Sequence, residues 1–279
     1  MSHWQTTRFR VPLNQPLVMG IVNVTPDSFS DGGAFATTAA AQAHCDRLLA
    51  DGADILDIGG ESTRPGAATP DLDAELARVL PVLHHAVGLG VPVSVDTSRP
   101  EVMRQALDLG VDIVNDVRAL QRPGALALLA EHAMAGVCLM HMRGEPGTMQ
   151  TDAHYDDVVA EACGWLASRC RDVLAAGVAL DRIVLDPGIG FAKTADHNWA
   201  LLQRQAELLA LGQPLLVGWS RKSTLGRLTG RAVQHRQSAS VAAALASVVR
   251  GAAIVRVHDV AETVDALKVW RAAGLLPAV

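Results

Sequence analysis

The sequence predicts a closed (β/α)8 barrel, also called a TIM barrel, with a functional site at the C-terminal ends of its strands. Eight short apolar runs alternate with longer segments of helical periodicity along the 279 residues. Strands that are apolar throughout and separated by helices are typical of a parallel sheet covered by helices. Eight such units fill the chain, as expected for one barrel of about 250 residues. An open doubly wound sheet is the alternative that the pattern leaves open.

The elements follow from the periodicity. The predicted strands are Leu17–Val24, Ile55–Ile58, Val91–Val95, Ile113–Val117, Val137–Met140, Ile183–Leu185, Leu215–Val217 and Ala253–Val257. The predicted helices are Thr37–Ala50, Leu72–Val87, Glu101–Leu109, Ala125–His132, Asp156–Ala176, Asp196–Leu209, Gln237–Val249 and Ala261–Ala272. Residues 1–16 precede the first strand, and we expect them to form a short prelude that covers the barrel bottom within a single domain spanning residues 1–279.

Composition restricts the classes of function. Hydrophobic residues make up 49% of the chain and charged residues 19%, which supports a large core and argues against disorder. The net charge of −5 gives no general attraction for nucleic acid or anionic lipid. No secretory h-region and no apolar run of about 18 residues is present, so we expect no membrane span. The four cysteines form no C-x-x-C pair, which favours free thiols in a reducing cytoplasm.

Polar residues follow each apolar run. They are Asn23, the segment from Gly59 to Gly66, Asp96-Thr97-Ser98, Asn115-Asp116, His141, Asp186-Pro187-Gly188, Ser220-Arg221-Lys222-Ser223 and Arg256-Val257-His258-Asp259. In a parallel barrel these ends lie on one face, where active sites form in this architecture. One such residue is usually a turn or capping residue. Eight in succession are harder to explain that way, because burying an unpaired charge costs several kcal/mol.

The chemistry of these residues is mixed. Asp96, Asn115 and Asp186 offer carboxylate acceptors and an amide, which suit a heterocycle that displays amino and carbonyl groups. A second set offers concentrated positive charge of the kind that binds phosphates, namely Arg64, Lys222, Arg256 and His258. Lysine is rare in this chain, occurring only at 193, 222 and 268. Its presence at 222 indicates that a compact point charge is needed there.

Two long segments resemble the signatures of the dihydropteroate synthase family. They are residues 22–33, VNVTPDSFSDGG, and residues 54–66, DILDIGGESTRPG. The resemblance continues in order through the remaining strand ends and covers roughly residues 17–275. It implies condensation of 6-hydroxymethyl-7,8-dihydropterin diphosphate with 4-aminobenzoate to 7,8-dihydropteroate and diphosphate, in folate synthesis. It also implies SN1-like loss of diphosphate without a protein nucleophile, with Lys222, Arg256 and Asp96 in catalytic roles.

The resemblance also assigns the binding residues. The pterin would be bound by Asp96, Asn115, Met140, Asp186, Lys222 and Arg256, although Met140 could equally be an ordinary core methionine. The diphosphate would be bound by Asn23, Arg64, Arg256 and His258, with Asn23 as the protein ligand of Mg2+. The 4-aminobenzoate would lie against Thr63, Pro65, Phe191 and Ser223, where sulfonamides would compete. A homodimer through outer helices of the last third is a further expectation from the family.

Two positions depart from the family pattern, and other functions remain open. Ile189 stands where an aromatic residue is common, and Ala192 stands where glycine is common. A pterin-binding methyltransferase would share the barrel and the carboxylates, but it has no use for the cationic set. An inactive paralogue should have lost part of that set. An unrelated phosphate-binding barrel isomerase would require the two long signatures to be coincidental.

Overall fold

A computed structural model describes residues 3–24, 38–61, 70–145, 147–149 and 153–276. The strands are β1 (His3–Gln5), β2 (Arg10–Pro12), β3 (Leu17–Asn23), β4 (Ile55–Gly59), β5 (Val93–Asp96), β6 (Ile113–Asp116), β7 (Gly136–Met140), β8 (Ile183–Asp186), β9 (Leu216–Val217) and β10 (Ile254–Val257). The helices are α1 (Thr38–Ala50), α2 (Leu72–Val87), α3 (Pro100–Asp108), α4 (Ala125–Glu131), α5 (Val158–Ala175), α6 (Ala195–Gln203), α7 (Gln205–Leu209), α8 (Ser223–Thr229), α9 (Gln237–Val249) and α10 (Val260–Ala272).

The eight strands from β3 to β10 form one parallel sheet that closes into a barrel. Their order is β8-β7-β6-β5-β4-β3-β10-β9, and each neighbouring pair is parallel. A parallel bridge between Leu185 and Leu215 joins the two ends of this order. The predicted barrel is therefore confirmed, and the open sheet is excluded.

Side chains alternate between the barrel interior and the helical layer. In β4, Leu56 and Ile58 belong to the large apolar cluster shared with the helices, whereas Ile55 belongs to a smaller cluster inside the barrel. Because successive side chains of a strand point to opposite faces, Asp57 lies on the inner face with Ile55. The same alternation places the last inward residue of several strands at the C-terminal mouth.

The N-terminal hairpin of β1 and β2 packs across the opposite end of the barrel. Trp4 is fully buried and clusters with inward-facing residues of the barrel strands, including Met19, Ile55 and Ile113. Its indole Nε1 donates to the carbonyl of Arg182 at 2.8 Å. Among the described residues, apolar side chains therefore fill the barrel interior at this end.

The periodicity missed three local features. The predicted helix Asp196–Leu209 is two helices, because Arg204 leaves helical geometry where its guanidinium binds Asp157 and Glu207. The seven-residue α8 and the hairpin strands were not among the predicted elements, since both are too short to show a clear period.

Within the described ranges no helix is long and apolar enough to cross a membrane. All four cysteines are unpaired thiols, as predicted.

Candidate active site

Arg256 on β10 bridges two carboxylates inside the barrel mouth. Its Nε donates to Oδ2 of Asp57 at 2.6 Å, and its Nη2 donates to Oδ2 of Asp96 at 2.6 Å. The two carboxylates come from the neighbouring strands β4 and β5. Charge-assisted hydrogen bonds of this length are among the strong ones. The plane of the guanidinium is therefore fixed by the protein itself.

Asn115 and Asn23 flank this group. Asn115 on β6 is buried, and its Nδ2 donates to Oδ2 of Asp57 at 3.2 Å. Asn23 ends β3 opposite Gly59, and Gly59 in turn lies opposite Asp96. The predicted residues Asn23, Asp96, Asn115 and Arg256 therefore lie together on one side of the mouth.

A second group lies on β7 and β8. Met140 pairs in register with Asp186, and both are buried. Oδ1 of Asp186 accepts a hydrogen bond from the amide of Gly188 at 2.7 Å. Gly188 has a φ of +69°, and a Cβ there would lie 2.0 Å from the carbonyl oxygen of His141. The turn after β8 thus requires glycine, and it holds the Asp186 carboxylate against its own backbone.

Lys222 joins this second group from the segment after β9. Its Nζ lies 4.2 Å from the centroid of the Phe191 ring, within the range of a cation–π interaction. Ser223 follows as the first residue of α8 and is exposed. The predicted residues Asp186, Met140, Phe191, Lys222 and Ser223 therefore occupy the other side of the mouth.

His258 lies two residues beyond Arg256, just past the end of β10. Its Nδ1 is 2.9 Å from Oγ of Ser220, and its amide donates to the same oxygen at 3.1 Å. The next residue, Asp259, accepts a hydrogen bond from Nη2 of Arg221 at 2.8 Å. The ends of β9 and β10 are thereby joined, which places His258 and Arg221 near one rim.

The charges at the mouth perturb each other. Burial raises the pKa of Asp96 to about 7, with Arg256 lowering it and Asp57 raising it. Burial also raises the pKa of Asp186, an effect opposed by the Gly188 amide and by Lys222. For Lys222, burial lowers the pKa to about 8 although Asp186 raises it. Such shifts in a cleft are typical of functional sites.

Not every polar strand-end residue points into the site. Asp116 is fully buried behind β6, where it accepts hydrogen bonds from Ser98 Oγ and from the amides of Arg118 and Leu120. Thr97 donates to the buried Glu75 of α2 at 2.6 Å. The His141 ring packs edge-on against Trp165 of α5. These residues hold the loops in place. Fewer polar residues can therefore touch a ligand than the number of polar strand ends in the sequence suggests.

Asp57 is the functional candidate that the residue-by-residue prediction did not assign. It is fully buried, and its Oδ1 has no hydrogen-bond partner among the described residues. The signal was present, because a carboxylate in the middle of the apolar run Ile55–Ile58 requires a buried partner. Three predicted residues, Thr63, Arg64 and Pro65, lie outside the described residues.

The arrangement is suited to a flat, polar heterocycle with an attached anion. Asp96, Asp186 and Asn115 provide acceptors and donors for amino, carbonyl and ring N–H groups. Arg256 provides a rigid plane, and Lys222 provides a compact positive charge beside an aromatic ring. Among the described residues no group of three or more His, Cys, Asp or Glu side chains could hold a metal ion.

Comparisons with known proteins identify the family and support the barrel fold. The family model of pterin binding enzymes matches residues 19–258. Dihydropteroate synthase of Neisseria meningitidis serogroup B is 56% identical, with 98% of each chain covered. The structure of the Xanthomonas albilineans dihydropteroate synthase with 4-aminobenzoic acid has a TM-score of 0.89 and 50% identity, covering 96% of each chain. The Burkholderia cenocepacia enzyme complexed with 7,8-dihydropteroate has a TM-score of 0.90 and 47% identity, covering 98% of this chain and 96% of that one. This chain belongs to the pterin binding enzyme family, among the dihydropteroate synthases.

Proposed function

We propose that the protein condenses 6-hydroxymethyl-7,8-dihydropterin diphosphate with 4-aminobenzoate, giving 7,8-dihydropteroate and diphosphate for folate synthesis. The observation that carries this proposal is the Arg256 bridge between Asp57 and Asp96, beside Asn115 and facing the Asp186–Lys222 group. A pterin displays amino, carbonyl and ring nitrogen groups that match these side chains. A methyltransferase that shares the barrel would not need Lys222, Arg256 and His258 at one mouth.

Polar side chains would form hydrogen bonds with the edges of the pterin, and other side chains would pack against its two faces. Asp186 accepts from the amino and ring N–H groups, and Asn115 and Asp96 read the remaining edge. Lys222 donates to a carbonyl or ring nitrogen, while Arg256 lies along one ring face. Met140, packed with Val117, Met142, Met149 and Ala192, supplies an apolar floor.

The reaction breaks the bond between the pterin methylene carbon and the diphosphate oxygen before the new bond forms. Both electrons of that bond leave with diphosphate, and the ring delocalises the resulting cation. The carboxylates of Asp57, Asp96 and Asp186 stabilise this positive charge because hydrogen bonds within the protein fix them before it develops. The arylamine nitrogen then bonds to the methylene and releases a proton to water.

The leaving diphosphate requires cations. Arg64, Arg256 and His258 are the protein groups that we assign to it, with Mg2+ as cofactor. Magnesium prefers oxygen ligands and keeps several waters, so one amide oxygen from Asn23 together with diphosphate oxygens is a suitable donor set. When bound, the ion neutralises charge on the departing diphosphate. Asn23 fits this role because it lies at the open end of β3, with only Gly59 of β4 between it and Asp96 of β5 in the sheet register.

The arylamine pocket is assigned to Phe191, Ser223, Thr63 and Pro65. Phe191 is half-buried beside Lys222, and Ser223 opens α8 at the rim. A ring stacked near Phe191 would place its carboxylate toward Ser223 and the Lys222 side of the mouth. Sulfonamides have the same ring and amine, so they are expected to compete with 4-aminobenzoate.

The assignment is tested with purified protein and Mg2+. Diphosphate release from the pterin diphosphate is expected only when 4-aminobenzoate is present, with equimolar dihydropteroate formed. Failure to form dihydropteroate, although both substrates bind, would contradict the assignment.

The order of bond changes is tested with substrate that carries 18O in the bridging position. Scrambling of the label in recovered substrate supports early loss of diphosphate, and its absence favours direct displacement.

Two further properties follow from the surface and the thiols. Leu228, Val249 and Val269 lie on α8, α9 and α10 and are 69%, 58% and 64% exposed. We assign these helices to a homodimer interface, and light scattering of the purified protein would give twice the chain mass.

Unpaired thiols fit a reducing compartment, so we assign the protein to the cytoplasm.

A further inference from the structure

Lys193, just beyond the site, is a buried cation whose hydrogen bonds go to backbone. It is 3% exposed, and its Nζ donates to the carbonyl of Phe191 at 3.0 Å and to the carbonyl of His141 at 3.2 Å. Within the described ranges no carboxylate forms an ion pair with it. Burial lowers its pKa to about 7, with Asp186 raising it and Lys222 lowering it. Because a buried ammonium without a counter-ion is costly, its presence requires an explanation.

The two carbonyls belong to segments that follow neighbouring strands. His141 comes directly after β7, and its amide donates to the carbonyl of Asp186 at 2.9 Å. Phe191 lies in the turn after β8, where its amide bonds to the carbonyl of Gly188 at 3.1 Å. Lys193 is therefore the side chain that ties the turn after β8 to the end of β7.

That turn brings Phe191 against Lys222. The next residue, Ala192, has a left-handed φ of +50°, which turns the chain back so that Lys193 reaches beneath it. On the other side, a Cβ at Gly190 would lie 3.0 Å from Cδ of Lys222. Lys222 is thus packed against both Gly190 and the Phe191 ring, and any shift of the turn would displace its ammonium.

We propose that Lys193 is a positioning residue that fixes the Phe191 ring, and through it the Lys222 ammonium, for binding of the arylamine. We assign it no contact with substrate, because its Nζ donates to two backbone carbonyls beneath the turn. This inference rests on the proposed function for the identity of the ligand. The contact it explains, Phe191 with Lys222, exists without any ligand and can be measured by itself.

The test uses Lys193→Met, which keeps the length of the side chain and removes its donors. The matched control is Arg182→Met. Arg182 is also a buried cation, 2% exposed, and its guanidinium donates to the carbonyls of Ala135 and Leu129 at 2.7 and 2.8 Å. It lies immediately before β8, at the barrel end away from the mouth. Both variants should lose stability, so a purely structural role predicts the same result for both.

The first measurement needs no activity. The chain has three lysines, so lysine labelled with 13C at Cε gives three signals. At pH 6 the Lys222 protons should be shifted upfield by the Phe191 ring current, and Phe191→Leu calibrates the full loss of that shift. Lys193→Met is expected to remove most of it, while Arg182→Met leaves it unchanged. An unchanged Lys222 signal in Lys193→Met overturns the proposal.

The second measurement separates this inference from the proposed function. Lys193→Met is expected to raise KM for 4-aminobenzoate about tenfold or more through Phe191, and to raise KM for the pterin diphosphate through Lys222, while Arg182→Met leaves both KM values unchanged. If Lys193→Met does not fold, Lys193→Gln, which keeps one N–H donor group, is used in both measurements. Unchanged KM values, or the same change in Arg182→Met, overturn the positioning role. Failure of the wild-type protein to form dihydropteroate would instead overturn the proposed function, leaving the Lys222 signal as the readout.

Discussion

The Nε of Arg256 donates to Oδ2 of Asp57 at 2.6 Å, although the two residues are 199 positions apart in the chain. Strands β10 and β4 both flank β3, so the barrel places these two inward side chains across one intervening strand. Asp57 thereby holds one side of the guanidinium while Asp96 holds the other. Residues of three strands, β4, β5 and β10, therefore fix the orientation of the Arg256 guanidinium.

Replacing Arg256 with alanine is expected to lower turnover efficiency roughly ten- to hundredfold or more. The loss corresponds to a charge-assisted contact of about 1.5–3 kcal/mol, at about 1.4 kcal/mol for each factor of ten. The measurement is kcat/KM for the pterin diphosphate at saturating 4-aminobenzoate. An unchanged value would remove Arg256 from the site.

Asp57→Asn tests whether the partner of Arg256 matters as well. The variant keeps the shape of the side chain but removes its charge, so we expect kcat/KM to fall by about tenfold. The control is Asp112→Asn. Asp112 is equally buried and binds Arg8 at 2.6 Å, on the barrel end opposite the mouth. Both variants should lower the denaturation midpoint, but only Asp57→Asn should slow turnover. Equal activities would mean that the Asp57 bridge is structural only.

The barrel and much of the mouth could be predicted because strand-end polarity and alternation are local patterns. Asp96, Asn115, Asp186 and Arg256 follow from them directly. Asp57 was passed over because its partner is distant in sequence, and only the closed sheet shows the pairing. Asp116 and His141 were grouped with the polar strand ends, although not assigned a ligand, because a one-residue change of register, which turns a side chain to the other face, cannot be read from a short run.

Deprotonation of Lys222 should cause the loss of activity at alkaline pH. Burial lowers its pKa to about 8, so its positive charge is present below pH 8 and is lost as the pH rises through that value. We expect kcat/KM for the pterin diphosphate to fall above pH 8. The 13C signals of the three lysines give the pKa values directly, with the exposed Lys268 as internal reference and Lys222→Met for assignment. Activity that stays level while the Lys222 signal titrates near 8 would show that its charge is dispensable.

Ala192→Gly should leave stability nearly unchanged, although the residue is fully buried. A left-handed conformation costs an alanine about 1–2 kcal/mol. Glycine removes this cost. The gain is offset because the unfolded glycine chain has more conformational freedom, which lowers the free energy of unfolding by about 0.4–1 kcal/mol, and because a buried methyl group is lost, which lowers it by about 0.8 kcal/mol. At the buried Ala106 of α3 there is no strain to relieve, so Ala106→Gly should destabilise by about 1–2 kcal/mol. Urea denaturation measures both, and equal losses would mean that Ala192 carries no strain.

Trp4 offers a way to change the stability of the barrel without altering its mouth. The indole is fully buried at the closed end, packs on residues of the barrel interior and donates to the carbonyl of Arg182 at 2.8 Å. Trp4→Ala should cost about 3–5 kcal/mol of unfolding free energy through the cavity it leaves. Trp4→Phe should cost less, because most of the apolar volume stays and mainly the hydrogen bond is lost. Both variants should keep the wild-type KM values at temperatures well below their midpoints, because the substrates enter from the other end. A raised KM in Trp4→Phe would show that packing at the closed end is transmitted along the strands to Asp57 and Arg256.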